Sequence, residues 1–505
     1  MSVKSQGEAK EKTLITFPSL FGLFKDGFLP SKTHIVGYAR SELEKKDFEE
    51  RLTGGIDKKE VRHGAQVELC ASVLISSASF HQSKDKIEEF KKISTYVQGA
   101  YDEDDAFKNL ESELQKMADK DFDGESHRIY YLAVPPSQFT SLADKLHKNN
   151  YKGISNRLVI EKPFGKDSAS AKEMMEAITK DGWKQEEIYR IDHFIGDEMA
   201  RSIMQLRFAN ELLIDSLFNK DKVASVLIEL KETFGCEGRG GYFDEFGIIR
   251  DVLQNHSMQL LTFLTMDKPE SLEEDHIRDE KVKVLKAIKP IKNDEAVMGQ
   301  YTGNGDKEGY LEDDSVENKE SKTATFGEVV LRIDNDRWQG VPFLLKAGKA
   351  IEEDALRIVI QFKQTDKPLY PSQEPNELVI ELYEKKVYFK INSKKPSMEG
   401  GIVRPEMILD YENKFDGLDA PQPYEFVIHE VLKGNQKSFV RQDELEEEWR
   451  IFTPLLHYCE GKDSSKPVEY KYGSNGPKES LEFEKKLGFV PTKDGYNLKK
   501  IDVTK

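Results

Sequence analysis

Residues 157–178, RLVIEKPFGKDSASAKEMMEAI, decide the reading of the first half of the chain. Residues 157–161 make an apolar run of strand length, which Lys162-Pro163 and then Gly165 bring to an end. A helix follows from Asp167 or Ser168, with Ala171, Met174, Met175 and Ile178 on one face. Outward from this unit the pattern repeats. Residues 33–39 (THIVGYA) and 93–98 read as strands, and Phe107, Leu110, Leu114 and Met117 then recur at helical spacing. Residues 129–134 (IYYLAV) form another apolar run, followed by Pro135-Pro136-Ser137 and a helix carrying Phe139, Leu142 and Leu146. Successive β-α units predict a mostly parallel, doubly wound sheet that binds ligands at the carboxyl ends of its strands.

After about Arg190 the texture changes. Residues 223–234, 324–333, 356–362, 377–383 and 387–391 alternate like antiparallel strands, and helices are expected at 246–266 and 423–433. The predicted class is therefore α/β plus α+β. A Rossmann-like dinucleotide domain at 1–191 precedes a domain at 192–505 built on a large, mostly antiparallel sheet. A chain of 505 residues is too long for one core, which agrees with this division. Residues 300–318, acidic and glycine-bearing, read as a surface excursion. The run Glu444-Leu445-Glu446-Glu447-Glu448 reads as a solvated helix face with no function.

Composition narrows the function classes. Hydrophobic residues make up 38% and charged residues 33%, as in a soluble globular protein, and no apolar run nears the ~20 residues of a membrane helix. The polar, lysine-rich residues 1–13 are no secretory signal. Cys70, Cys236 and Cys459 lie too far apart in sequence for a disulfide framework or a metal motif, so a cytoplasmic location is expected. A formal charge of −17 argues against nucleic-acid binding. It leaves room for an anionic small molecule held by a few local cations.

Three tracts carry the chemistry: Glu161-Lys162-Pro163-Phe164-Gly165, Arg190-Ile191-Asp192-His193, and Gly247-Ile248-Ile249-Arg250-Asp251 running on to Asn255-His256. Ile249, Val252, Leu253, His256 and Leu260 fall on one helical stripe, so His256 reads either as a satisfied core histidine or as a general base. An imidazole with a pKa of ~6.5 can take a hydroxyl proton near neutral pH. Lys162 stands where a strand ends, which is weak evidence by itself.

The tracts resemble those of the glucose-6-phosphate dehydrogenase family, and the similarity runs from about Phe17 to about Phe489. The resemblance implies an NADP-dependent oxidation of C1 of a hexose, most simply glucose 6-phosphate to 6-phosphoglucono-1,5-lactone in the oxidative pentose phosphate pathway. It makes His256 the base and Asp192 the carboxylate that orients it. Lys162, after which the peptide bond is cis in the family, would meet both sugar and cofactor. Glu232 and Asp251 match sugar-hydroxyl ligands, while His193 and Lys349 match phosphate ligands. Arg40 matches the arginine at the 2′-phosphate of NADP, and Ala133, Val134, Pro135 and Pro136 match the strand end along the dinucleotide. A homo-oligomer, dimer or tetramer, is implied as well.

The sequence departs from the family at several places. Relatives carry an apolar strand and a glycine-rich loop before the helix that here begins near Phe17, where this chain has Gly7-Glu8-Ala9-Lys10. The first strand is therefore expected to be missing, and with it the backbone cradle for a pyrophosphate. Residues 64–80 have no counterpart. Phe194 stands for a tyrosine, Asp197 for a lysine, and Asp354 where some relatives carry arginine. Positions 355, 359, 381, 422 and 475 lack the partners of a second, structural NADP, and none is expected. Two alternatives follow from these departures: a dehydrogenase of unphosphorylated glucose, favoured if Asp197 faces the phosphate, and a non-catalytic scaffold paralogue, favoured by the lost loop.

Overall fold

The computed structural model describes residues 4–53, 77–180, 182–370, 373–396, 398, 400–415, 420–461 and 464–489. Most of the unmatched segment 64–80, with Cys70, lies outside the described residues. The chain divides into two compact units that are not contiguous in sequence. The first takes residues 1–209, 250–286 and 417–456, and the second takes 210–249, 287–416 and 457–505.

Among the described residues the first unit holds five strands, all in parallel pairs. β1 (Ile35–Ala39) pairs with β2 (Ser94–Gln98). β3 (His127–Leu132), β4 (Ser155–Glu161) and β5 (Ile188–Ile191) form a second sheet in sequence order. The expected helix after β4 is Ser168–Lys180, and it buries Ala171, Met175 and Ile178 as its spacing foretold. Among the described residues no strand joins β2 to β3. That break is where a first strand would lie in a doubly wound sheet, and residues 7–10 belong instead to the helix Lys4–Lys25. Phe21 of that helix packs with Ile35, Phe48, Leu52 and Phe90 to give β1 and β2 a small core of their own. β4 and β5 are covered by the helix Pro423–Lys433, whose Tyr424, Val427 and Val431 bury Val159, Tyr189 and Ile191.

Among the described residues the second unit is built on one sheet of nine strands. Its members are β6 (Val223–Lys231), β7 (Ala296–Thr302), β8 (Phe326–Leu331), β9 (Phe343–Gly348), β10 (Ala355–Phe362), β11 (Glu377–Glu381), β12 (Lys386–Lys390), β15 (Glu406–Asp410) and β16 (Val468–Lys471). The short pair β13 (Ser393–Lys394) and β14 (Ile402–Val403) stands apart. The order is β15-β12-β11-β10-β6-β9-β8-β7-β16, and only the β6–β9 and β7–β16 pairs are parallel. Register makes one face of this sheet a set of cross-strand rows. Tyr388, Val379, Val359, Leu227 and Leu344 form an apolar row covered by Phe489. Two residues along the strands the row is charged: Lys386, Glu381, Arg357, Glu229, Lys346 and Glu328 face one another in alternating sign. All but Lys386 are buried, so each must be paired, and Arg357 meets Glu229 and, at 3.7 Å, Glu381.

Three expectations need correction. The helix expected at 246–266 is broken: Gly247 has a φ of 64°, Ile249–Leu253 forms a π turn, and a separate helix, His256–Thr265, begins at His256. The extra residue of a π turn shifts the stripe, so His256 is a helix start rather than a mid-helix core residue. The excursion at 300–318 is anchored, since its first residues belong to β7 and Tyr310 and Val316 are fully buried. The glutamate run on the helix Gln442–Glu460 is not a solvated face either. Glu444 and Glu448 are 0% and 2% exposed, because buried cations and amides lie opposite them.

Candidate active site

β5 ends by delivering Asp192 into the interior of the first unit. Asp192 caps the short turn His193–Gly196, and its Oδ1 accepts from the Phe194 backbone N–H at 3.0 Å. The same oxygen lies 2.6 Å from Nδ1 of His256. His256 is positioned from its own side by Asn255, whose side chain caps the helix by accepting from the His256 N–H at 2.7 Å and donates to Arg250 O at 2.7 Å. Residues 64 apart in sequence thus form one buried carboxylate–imidazole pair.

The ring of Phe194 stacks on His256 with centroids 3.8 Å apart, and His193 meets His256 edge-on at 4.6 Å. Phe194, which the sequence marks only as the replacement of a tyrosine, therefore fixes the plane of the base. Burial drives the pKa of both histidines down, furthest for His193, and the Asp192 charge only partly offsets it. Burial works to raise the Asp192 carboxyl, but His256, its hydrogen bond, His193 and Lys162 outweigh that and hold it at about 2. At neutral pH the pair is an ionised carboxylate beside a neutral imidazole, with Nδ1 turned to Asp192 and Nε2 left to accept a proton.

Lys162 leaves β4 through a cis bond to Pro163, as the resemblance implied. Its Nζ donates to Asp251 O at 2.6 Å and lies 4.0 Å from the Asp251 carboxylate. The turn behind it is tight: Gly165 has a φ of 81°, and a Cβ there would stand 2.5 Å from the backbone of Ala171. Trp449 N–H closes the turn by donating to Phe164 O at 3.0 Å. Lys162, Asp192, His193, Asp251 and His256 therefore gather in the first unit, the last four of them buried.

Other candidates stand elsewhere. Arg40 follows β1 and is exposed, with its guanidinium 5.3 Å from the Tyr101 ring. Ala133, Val134, Pro135 and Pro136 follow the end of β3. Glu232 and Lys349 belong to the second unit, where they follow the adjacent parallel strands β6 and β9 and form a buried ion pair. Two of the substitutions that the sequence reading treated as reversed charges have local employment. Asp197 caps the helix Glu198–Phe208, accepting from Met199 N at 2.9 Å and Ala200 N at 3.1 Å. Asp354 accepts from Thr233 N at 2.7 Å and from its hydroxyl at 3.0 Å.

A parallel β-α unit with an antiparallel-sheet unit, and a buried carboxylate–imidazole pair able to take a proton, is the build of a nucleotide-dependent dehydrogenase. The comparisons name the family. Residues 6–202 match the NAD-binding domain of glucose-6-phosphate dehydrogenase, and residues 204–490 match its C-terminal domain. The chain is 42% identical over 486 residues to the glucose-6-phosphate 1-dehydrogenase of Emericella nidulans, covering 95% of this chain and 89% of that protein. It is 41% identical over 495 residues to that of Saccharomyces cerevisiae, covering 97% and 93%. A solved glucose-6-phosphate dehydrogenase in complex with its substrate glucose 6-phosphate superposes with a TM-score of 0.87, at 38% identity and 95% coverage of each chain. The chain belongs to the glucose-6-phosphate dehydrogenase family, a family of oxidoreductases. No described helix is long and apolar enough to cross a membrane, and one relative, from Arabidopsis thaliana at 41% identity, is named as cytoplasmic.

Proposed function

We propose that this chain oxidises glucose 6-phosphate at C1 to 6-phosphoglucono-1,5-lactone, with NADP as the acceptor, in the cytoplasm. The observation that carries the reading is the 2.6 Å contact between Asp192 Oδ1 and His256 Nδ1, with the carboxylate ionised and the imidazole neutral. Nε2 of His256 takes the proton of the C1 hydroxyl, and Asp192 stabilises the imidazolium that results. Phe194 and Asn255 hold the ring in place while this happens. Lys162 and Asp251 in the first unit orient the sugar hydroxyls and His193 contributes to phosphate binding, while Glu232 and Lys349 of the second unit keep the roles, hydroxyl and phosphate ligand, that the family resemblance implies. Bound NADP supplies the hydride acceptor. Arg40, exposed at the carboxyl end of β1 and backed by Tyr101, fits its 2′-phosphate, and Ala133, Pro135 and Lys162 would hold the rest.

Asp197 bears on the choice of sugar. Its carboxylate is engaged by a helix N-terminus, which offsets its charge, so the argument for unphosphorylated glucose loses its main support. We assign residues 1–191 to NADP and 192–505 to substrate and assembly, as a functional division of the sequence that the compact units cross, since residues 192–209, 250–286 and 417–456 pack into the first unit. A homo-oligomer is supported by the outer strand β15, where Met407, Ile408 and Leu409 are exposed.

The test is kcat/KM for glucose 6-phosphate and for glucose, each with NADP. A preference of more than ~10³ for the ester, about 4 kcal/mol of transition-state binding, is expected. A preference for glucose overturns the substrate. Failure of the purified chain to bind NADP in calorimetry would leave the scaffold reading standing instead.

A further inference from the structure

The helix Gln442–Glu460 turns two carboxylates of its acidic run inward, and they lead to the proton-abstracting pair. Glu444 meets Lys281 Nζ at 2.5 Å. Lys281 also donates to Gln259 Oε1 at 2.6 Å, and Gln259 Nε2 donates to Glu448 Oε1 at 2.6 Å. Lys281 lies on the helix Glu274–Lys286 and Gln259 on the helix that begins with His256. Beyond Glu448 is a cavity of about 10 Å³, the size of one water, bordered by Lys162, Asp192, Gln254, Asn255 and Glu448. Oδ2 of Asp192 and Nε2 of Gln254 are both buried, and neither has a hydrogen-bond partner in the protein. Pro163, Phe164, Val440 and Leu445 complete the border, so a water held there turns to the orphaned polar atoms of Asp192 and Gln254, two of the residues that line it.

We propose that Glu448 is a positioning residue for the reaction: through one water in this cavity, shared with Gln254, it anchors the free oxygen of Asp192 and so keeps the other oxygen on His256. The proposal rests on Asp192 and His256 being the proton-abstracting pair. Glu444 faces Glu448 from its own helix, Lys281 and Gln259 from the neighbouring helices, and Asp192 and Lys162 from across the cavity. Burial, with Glu444 and Asp192 adding to it against Lys281 and Gln259, holds the Glu448 carboxyl well above the ordinary carboxylate range. That direction favours the protonated carboxyl, which can donate toward the cavity. No second anion is placed beside Asp192. Glutamine has the same shape and can both donate and accept, so it mimics this neutral carboxyl. Alanine cannot.

The experiment compares the full-length wild type with Glu448→Gln, Glu448→Ala and Gln254→Ala. It measures kcat and both KM values across pH, and the ring 15N signals of His256. Glu448→Ala is expected to lower kcat about tenfold, to move the acid limb of the kcat profile, and to leave both KM values within about twofold. Glu448→Gln should restore kcat to within about threefold of wild type. Gln254→Ala should fall in the same direction as Glu448→Ala, and it stands in if that variant does not fold. A wild-type kcat and acid limb in Glu448→Ala, or a loss in Glu448→Gln as deep as in Glu448→Ala, overturns the proposal. The 15N signals need no turnover: unchanged His256 signals in Glu448→Ala overturn it as well. Wild-type turnover in His256→Ala would instead overturn the assignment of the base, which separates the two failures.

Discussion

Replacing Asp192 by asparagine tests the assignment of the base through one atom. In the native chain Asp192 Oδ1 faces His256 Nδ1 at 2.6 Å and also accepts from the Phe194 N–H at 3.0 Å. Asparagine with its carbonyl in that place accepts both hydrogen bonds but brings no charge, and flipped it accepts neither. With its carbonyl on the Phe194 N–H, the amide nitrogen turns elsewhere and the imidazolium formed in the reaction has no counter-charge. With the amide on Nδ1, the imidazole carries its proton on Nε2, where it should accept one. Two unit charges ~4 Å apart interact by about 4 kcal/mol at an effective dielectric near 20. Loss of that interaction in the transition state alone lowers kcat by about three powers of ten. The assay is kcat for glucose 6-phosphate from the absorbance of reduced NADP, with circular dichroism to confirm the fold. KM for the sugar should move little, because Lys162 and Asp251 are untouched. A fall of less than about tenfold in kcat would refute the assignment of the pair.

The acid limb of kcat/KM should lie below the ordinary histidine value of ~6.5, since burial lowers the pKa of His256; a pH–rate profile of the wild type checks this, and a limb above 6.5 contradicts it. Glu328, buried beside Glu484 in the charged row, has its pKa raised from 4.5 to about 8, first by burial. The native state then holds a proton that the unfolded chain has lost, so stability should fall as pH rises from about 4.5 to about 8, by on the order of a few kcal/mol. Urea melts of wild type and Glu328→Gln read this directly: the variant should lose that slope, and an equal slope in both would refute it. Gly165→Ala should cost at least ~2 kcal/mol and reduce kcat, because its Cβ would meet Ala171 backbone at 2.5 Å in a turn with φ of 81°. Thermal melting checks it, and an unchanged Tm would show that the turn relaxes.

The elements that could be read in advance are those whose pattern is local. The strands read at 157–161 and 356–362 are short apolar runs, and they stand as Ser155–Glu161 and Ala355–Phe362; the helix Pro423–Lys433 announces itself with proline at its start and Gly434 at its end. The errors arose where a local pattern met a distant partner. The stripe from Ile249 to Leu260 runs on in sequence across a π turn, so periodicity alone could not show that the helix restarts at His256. Glutamate is nearly always solvated, and only Lys281 and Gln259, far away in the chain, make burial of Glu444 and Glu448 tolerable. Asp197 is different. An aspartate directly before Glu198 and an apolar helix is a capping signature, and it was legible before the family pattern drew attention to its charge.

The base and its supports come from parts of the chain that the lost glycine loop does not touch. Asp192 follows β5, His256 opens its own helix behind Asn255, and the Lys162 turn is closed by Trp449. β4 and β5, which carry Lys162 and Asp192, take their cover from Tyr424, Val427 and Val431 rather than from β1 and β2. β1 and β2, which carry Arg40, keep a separate core around Phe21, Phe48 and Phe90. The break in the parallel sheet therefore separates two tasks that a continuous sheet would bind together. What lies on the β3–β5 side is the geometry of proton transfer, fixed by buried groups at 2.6 to 3.0 Å. What lies on the β1–β2 side is an exposed arginine, Arg40, to which the proposed function gives recognition of the dinucleotide. A loss at the pyrophosphate cradle then weakens cofactor binding and leaves the proton-abstracting pair in place. On the proposed function, the departures at the N-terminus would therefore bear on affinity for NADP and leave that pair in place.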